Sequence, residues 1–155
     1  MIAKQIQGTD FHKVLDYVHN KSGARLIGSN MTGQDPDTLA EEFRVSSHLR
    51  ERLTKRVYHV SLSASPTEKL TDRAWVEIAR AYLKGMEFDR NQHVIYRHID
   101  REHEHIHIVA SRIRITDGSI VADSWNYRRS AVGATRQLKA LPNKEHKGVR
   151  SKKIG

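Results

Sequence analysis

The chain has 155 residues and a net charge of +9, with 27 Lys and Arg against 18 Asp and Glu. That length is one domain, or a domain cut from something longer, with room for a real core, and the charge points to a polyanion, nucleic acid before acidic lipid. Cysteine is absent, which excludes a disulfide framework and thiolate chemistry, so any metal must be held by histidine and carboxylate.

The chain opens with a short strand over residues 1–6. Thr9 or Asp10 can cap a helix running to about Lys21, with Gly23 as its stop. Phe11, Val14, Leu15 and Val18 fall at i, i+3, i+4 and i+7 and form its buried stripe. Tyr17 sits at the border of that stripe, either packed at the rim of the core or emerging toward a cleft. Residues 24–29 read as a strand, 29–36 as a loop by their Asn, Gly, Asp and Pro content, and 37–43 as a short helix. Residues 46–56 are charged and show no clear period.

Residues 57–63 (VYHVSLS) alternate strictly. Tyr58, Val60 and Leu62 share one face; His59, Ser61 and Ser63 share the other. A polar face of that kind lines a groove, where small hydroxyls and an imidazole can touch phosphates, or else meets bulk solvent. Glu68 lies in the loop that follows. Thr71 begins a helix to about Lys84, with Trp75, Ile78, Ala79 and Leu83 inward and Gly85 as its end.

Residues 93–98 form another strand, and from His105 polar and apolar residues alternate again, to about Ile115. The four residues 99–102 between them predict a hairpin with His98 opposite His103. His103, His105 and His107 then share an exposed face, Ile106 and Ile108 point into a core, and His98 sits diagonally from His105. His98, His105 and His107 can converge on one ion. Three imidazoles leave positions open, as a catalytic metal requires. A bare edge strand with solvated histidines is the competing arrangement.

Asp117-Gly118 predicts a turn into Ile120-Val121. A helix is expected over residues 126–141, carrying Arg128 and Arg129, with Pro142 as its stop. Residues 1–141 are read as the catalytic domain and 142–155 as a basic, flexible tail or linker. The order of elements predicts an α+β fold: a central five-stranded antiparallel sheet with flanking helices. No run of about 18 apolar residues occurs, so no membrane span is expected. The N-terminus lacks the apolar core of a secretion signal, and the expected location is cytoplasmic.

A metal, a basic surface and a helix tyrosine make one device. The ion offsets charge on a phosphodiester while a tyrosine hydroxyl, or a water, attacks phosphorus. The residues alone leave that choice open.

The spacing H-x-D-x-x-H-x-H-x-H is met in full by His98, Asp100, His103, His105 and His107. Leu15-Asp16-Tyr17-Val18 places a tyrosine near the end of the first helix, and Ser61-Leu62-Ser63 closes a strand ahead of a loop acid, Glu68. In these features, from Tyr17 to about Leu141, the chain resembles the DNA relaxases, or mobilisation nucleases, of conjugative and mobilisable plasmids. They belong to the HUH endonuclease superfamily, in the branch that includes the agrobacterial transfer relaxase.

The resemblance implies Tyr17 as nucleophile, His98, His105 and His107 as ligands of a divalent ion (magnesium, manganese or zinc), and Asp100 and His103 behind them. Glu68 would orient His98 or assist proton transfer. Residues 123–129 (DSWNYRR) resemble a stretch used near bound DNA. DNA contacts are expected from His59, Ser61, Ser63, Arg97, Arg112, Arg128 and Arg129. The substrate implied is single-stranded DNA at a nick site. The partners implied are accessory DNA-binding proteins and a type IV secretion coupling protein.

A rolling-circle replication initiator or transposase of the same superfamily, and a non-catalytic single-strand-binding module, are the alternatives. Two features depart from the family pattern. Ser111 stands where many relatives have asparagine. Tyr58, Tyr82, Tyr96 and Tyr127 rival Tyr17, and Tyr96 shares the histidine face.

Overall fold

The computed structural model describes residues 1–99 and 103–122. Its elements, in chain order, are β1 (Ile2–Gly8), α1 (Phe11–His19), β2 (Arg25–Ser29), α2 (Pro36–Ser47), a 3-10 turn (His48–Arg50), β3 (Val57–Ser63), α3 (Asp72–Gly85), β4 (His93–His98) and β5 (His105–Ser111). The strands form one sheet in the order β1-β3-β5-β4-β2, antiparallel throughout. The expected α+β fold with a five-stranded antiparallel sheet is the one observed. Asp100, residues 123–129 with Arg128 and Arg129, the expected helix over 126–141 and the basic tail lie outside the described residues. Among the described residues no helix is long and apolar enough to cross a membrane.

Strand alternation sends side chains to two different cores. Tyr58, Val60, Leu62, Ile95, Ile106 and Ile108 face α3, where Trp75, Ile78, Ala79, Tyr82 and Leu83 meet them. Val57, Val94, Tyr96 and Val109 face α1 and α2, packing with Phe11, Leu15, Val18, Leu39 and Phe43. β5 lies at the centre, and all seven of its residues are buried. The histidine face was expected to be exposed. It is covered instead, because α1 lays its apolar stripe across the same side of the sheet.

Capping explains the helix limits. Asp10 accepts from the Lys13 N–H and starts α1. Asn20 donates to the Asp16 carbonyl at 3.0 Å and ends it at His19, two residues before the expected Lys21. α2 is longer than the expected 37–43: Asp35 and Thr38 form a reciprocal cap, Pro36 occupies the first turn, and the helix continues to Ser47. α3 runs through Gly85 rather than stopping there, and the reversal falls on Glu87 at φ 66°.

β5 stops at Ser111, short of the expected Ile115. The Ser111 hydroxyl accepts from the Ile113 N–H at 3.1 Å and turns the chain. Gly118, at φ 74°, then brings Ile120 back beside Ile113.

Candidate active site

The hairpin register differs from the four-residue loop expected. His98 pairs with His105, not His103, so residues 99–104 separate the strands. A shift of two residues keeps every side chain on its original face, because strand side chains repeat every second residue. His98, His105 and His107 therefore still share a side, with His98 directly across from His105 rather than diagonal to it. Two cross-sheet rows follow. One reads Ile2, Ser63, His105, His98; the next reads Lys4, Ser61, His107, Tyr96.

The three rings form a cluster. Their centroids lie 4.3 Å apart for His98 and His107, and 5.3 Å for each of the other two pairs. One ring nitrogen from each falls within 4.8 Å of the others. All three residues are buried, with 1%, 4% and 8% exposure for His98, His105 and His107.

Neighbouring atoms fix how two of the rings present themselves. His98 Nε2–H donates to the Val18 carbonyl at 2.7 Å. Its Nδ1 is then a buried acceptor with no hydrogen-bond partner among the described residues. An orphaned acceptor of that kind is costly unless something binds it. His105 Nδ1–H donates to the His103 carbonyl at 3.3 Å, which leaves Nε2 as that ring's lone pair. His103 thus acts through its backbone; its side chain is exposed, two residues before pairing begins at His105. These donors suit a divalent cation: imidazoles, each oriented by a carbonyl or another ring, with no thiolate.

His107 Nδ1 and His59 Nε2 are 2.7 Å apart. When His107 presents Nε2 to a cation, its Nδ1 keeps the proton and His59 accepts it. Burial, and then the nearby His98, hold His59 down to about 4, so it stays neutral and able to accept.

Tyr17 overhangs this cluster from α1. Its ring stands edge-on to His107 at 6.2 Å and to His59 at 6.3 Å between centroids. It is 48% exposed, and the Lys21 ammonium lies 4.9 Å from its ring centre. Tyr17, His59, Ser61, Ser63, His105 and His107 line a common cleft of about 420 Å³. The polar face of β3 is a groove wall, not a solvent face.

Tyr127 lies outside the described residues, and the other rival tyrosines lie elsewhere. Tyr96 shares the histidine face but is 1% exposed, and its hydroxyl is 3.0 Å from His19 Nδ1. Burial pushes it up to about 12. Tyr58 and Tyr82 bond each other at 2.9 Å beneath the other face.

Two arginines expected at DNA do not reach the cleft. Arg97 points to the α3 side, where it pairs with Asp72 at 2.6 Å and with Glu104. Strand parity puts it there, since His98 beside it takes the other face. Arg112 is 4% exposed and donates to the carbonyls of Val121 and Lys55. Glu68 is half-buried and accepts from the Ser65 hydroxyl at 3.2 Å, and the Val18 carbonyl holds His98 Nε2. The sequence reading missed that carbonyl, which has no signature in a string of side chains. It also missed Lys4, Ile6, Lys13 and Val14, which complete the cleft and become visible only once β1 is known to pair with β3.

Buried imidazoles grouped on the central strands of an antiparallel sheet, under a helix with a half-exposed tyrosine, make the layout of a metal-assisted nuclease. The chain belongs to the relaxase family: residues 14–140 match the nuclease domain of the MobA/VirD2-like relaxases. Membership makes this a nuclease domain of the kind that nicks DNA at a transfer origin. Among curated proteins, none matches the chain.

Proposed function

We propose that the domain nicks and rejoins one DNA strand at a plasmid transfer origin, through a covalent phosphotyrosine on Tyr17. One observation carries this reading: Tyr17 projects half-exposed into the cleft that His105 and His107 floor. His98, through Nδ1, together with His105 and His107, would hold the divalent ion. When bound, the ion supplies Lewis-acid stabilisation for the charge that grows on a phosphodiester oxygen.

The protein's own part follows from its side chains. Tyr17 Oη forms a bond to phosphorus, and the bond from phosphorus to the sugar oxygen breaks. The phenol proton leaves to water through the open mouth of the cleft. The sugar oxygen takes up a proton and departs as a free hydroxyl. The ester conserves the energy of the bond it replaced, so the same hydroxyl can return and reseal the strand. Ser61 and Ser63 offer hydroxyls to phosphate oxygens, and His59 holds His107 in orientation.

The test uses the protein, a divalent metal and a single-stranded oligonucleotide bearing the nick site, resolved on a denaturing gel. A protein–DNA adduct is expected with the wild type and with Tyr96→Phe, and none with Tyr17→Phe. Cleavage without adduct would mean that water is the nucleophile.

A further inference from the structure

β1 is amphipathic in the unexpected sense. Ile2, Lys4 and Ile6 are exposed, while Ala3, Gln5 and Gln7 are half-buried against the sheet's other side. Ile2 and Ile6 are each 64% exposed. An isolated exposed isoleucine needs no explanation. Two of them with a lysine between, on one strand face, form a built surface.

Register fixes where that face points. Ile2 pairs with Ser63, Lys4 with Ser61 and Ile6 with His59. Each of those β3 residues pairs onward into β5, the serines with His105 and His107. The face of β1 is therefore continuous with the floor of the cleft. Strands lie ~4.8 Å apart, so β1 is about 10 Å from the histidines of β5, two strand spacings across. Lys13, exposed on α1, stands over the same cleft, which Lys4 and Ile6 also line.

We infer that one flank of the substrate strand leaves the scissile phosphate across β3 and lies on β1. This rests on the nicking reading for the position of the scissile phosphate. The hydroxyls of Ser61 and Ser63 accompany the backbone, Lys4 and Lys13 meet the next phosphates, and Ile2 and Ile6 give apolar footing to a base. Charge complementarity selects the occupant: one ammonium group between two apolar rungs, with a second above the cleft on α1, suits an unpaired nucleotide, with its anionic backbone and flat apolar base. The face is thereby a determinant of which nucleotide stands beside the nick.

Equilibrium binding of a fluorescein-labelled single-stranded oligothymidylate, followed by anisotropy across a salt series, tests this. Lys4→Ala should weaken binding severalfold and lower the slope of log K against log salt by about 0.7, the loss of one phosphate contact. Ile6→Thr keeps a β-branched side chain on an exposed site and should weaken binding with the slope unchanged. Lys84→Ala removes one exposed charge from α3 on the opposite side and should alter neither.

The track is refuted if Lys4→Ala and Ile6→Thr bind as the wild type does, or if Lys84→Ala weakens binding as much as Lys4→Ala. Adduct yield on a nick-site oligonucleotide separates the two ideas. A wild type that binds through Lys4 but forms no adduct leaves the track standing and removes the phosphotyrosine.

Discussion

His98 Nε2 donates to the Val18 carbonyl at 2.7 Å, across 80 residues of sequence. The bond joins β4 to the residue after Tyr17. One imidazole thereby has its tautomer set and its distance to the tyrosine helix fixed. The His19 contact to Tyr96, 3.0 Å long, pins the same turn of α1 to the same strand.

Metal should stabilise the fold through this cluster. A ligand present at 100 times its dissociation constant adds about 2.7 kcal/mol when it binds only the native state. Thermal unfolding should shift upward with manganese or zinc and return with a chelator. His98→Gln and His107→Gln should abolish the shift. An unchanged shift in both variants would place the ion elsewhere.

His59 should act on the cation through His107. His59→Ala removes the acceptor 2.7 Å from His107 Nδ1 and should cost roughly 10- to 100-fold in metal affinity, as loss of a group behind a ligand does. His59→Gln, whose carbonyl can accept the same proton, should recover most of it. Titration calorimetry with the two variants reads this directly. Equal losses in both would mean that the ring only fills space.

Tyr96→Phe should cost stability and spare the chemistry. It deletes the bond to His19 and keeps the buried ring, so unfolding in urea should move by about 1 kcal/mol. Burial pushes the Tyr96 phenol to about 12, so in a spectrophotometric titration it should ionise well after an ordinary tyrosine near 10. Ionisation near 10 by every tyrosine would contradict its buried placement.

The ion-pair group under β2 and β4 predicts an acid response. Hydrogen bonds from Arg25, then from Arg97, hold the Asp72 carboxyl below its usual 3.8 despite some burial. A group depressed in the folded state stabilises above its unfolded pKa, and that contribution disappears as pH falls through the folded pKa. Urea midpoints should therefore fall as pH drops from about 4, and Asp72→Asn should flatten that limb. The effect should be modest, because the Asp72 side chain is 41% exposed. An unaltered limb in Asp72→Asn would assign the acid response to other carboxylates.

Much of the site was legible because strand parity is robust. The hairpin loop was predicted two residues too short, yet the three histidines kept their common face, since an even shift preserves sides. Tyr17 was readable as a border residue of the α1 stripe, and it is half-exposed at that border. The same parity argument, applied to Arg97, would have turned it away from the histidine face. The covering of the histidine face by α1 was not legible, because which face a crossover helix takes depends on long-range packing. The Val18 carbonyl was invisible for a simpler reason: every residue has one, and only the fold selects which meets an imidazole.

Peptide mapping of the covalent product tests the central claim most directly. Trypsin cuts after Lys13 and Lys21, and the fragment 14–21 contains Tyr17 as its one tyrosine; cuts after Arg90 and Arg97 give 91–97, with Tyr96. After reaction with metal and a nick-site oligonucleotide, then nuclease trimming, the nucleotide mass should sit on fragment 14–21 and disappear when metal is withheld. Nucleotide found on 91–97, or an adduct on 14–21 that forms equally well without metal, would contradict a tyrosine working over a histidine-held cation.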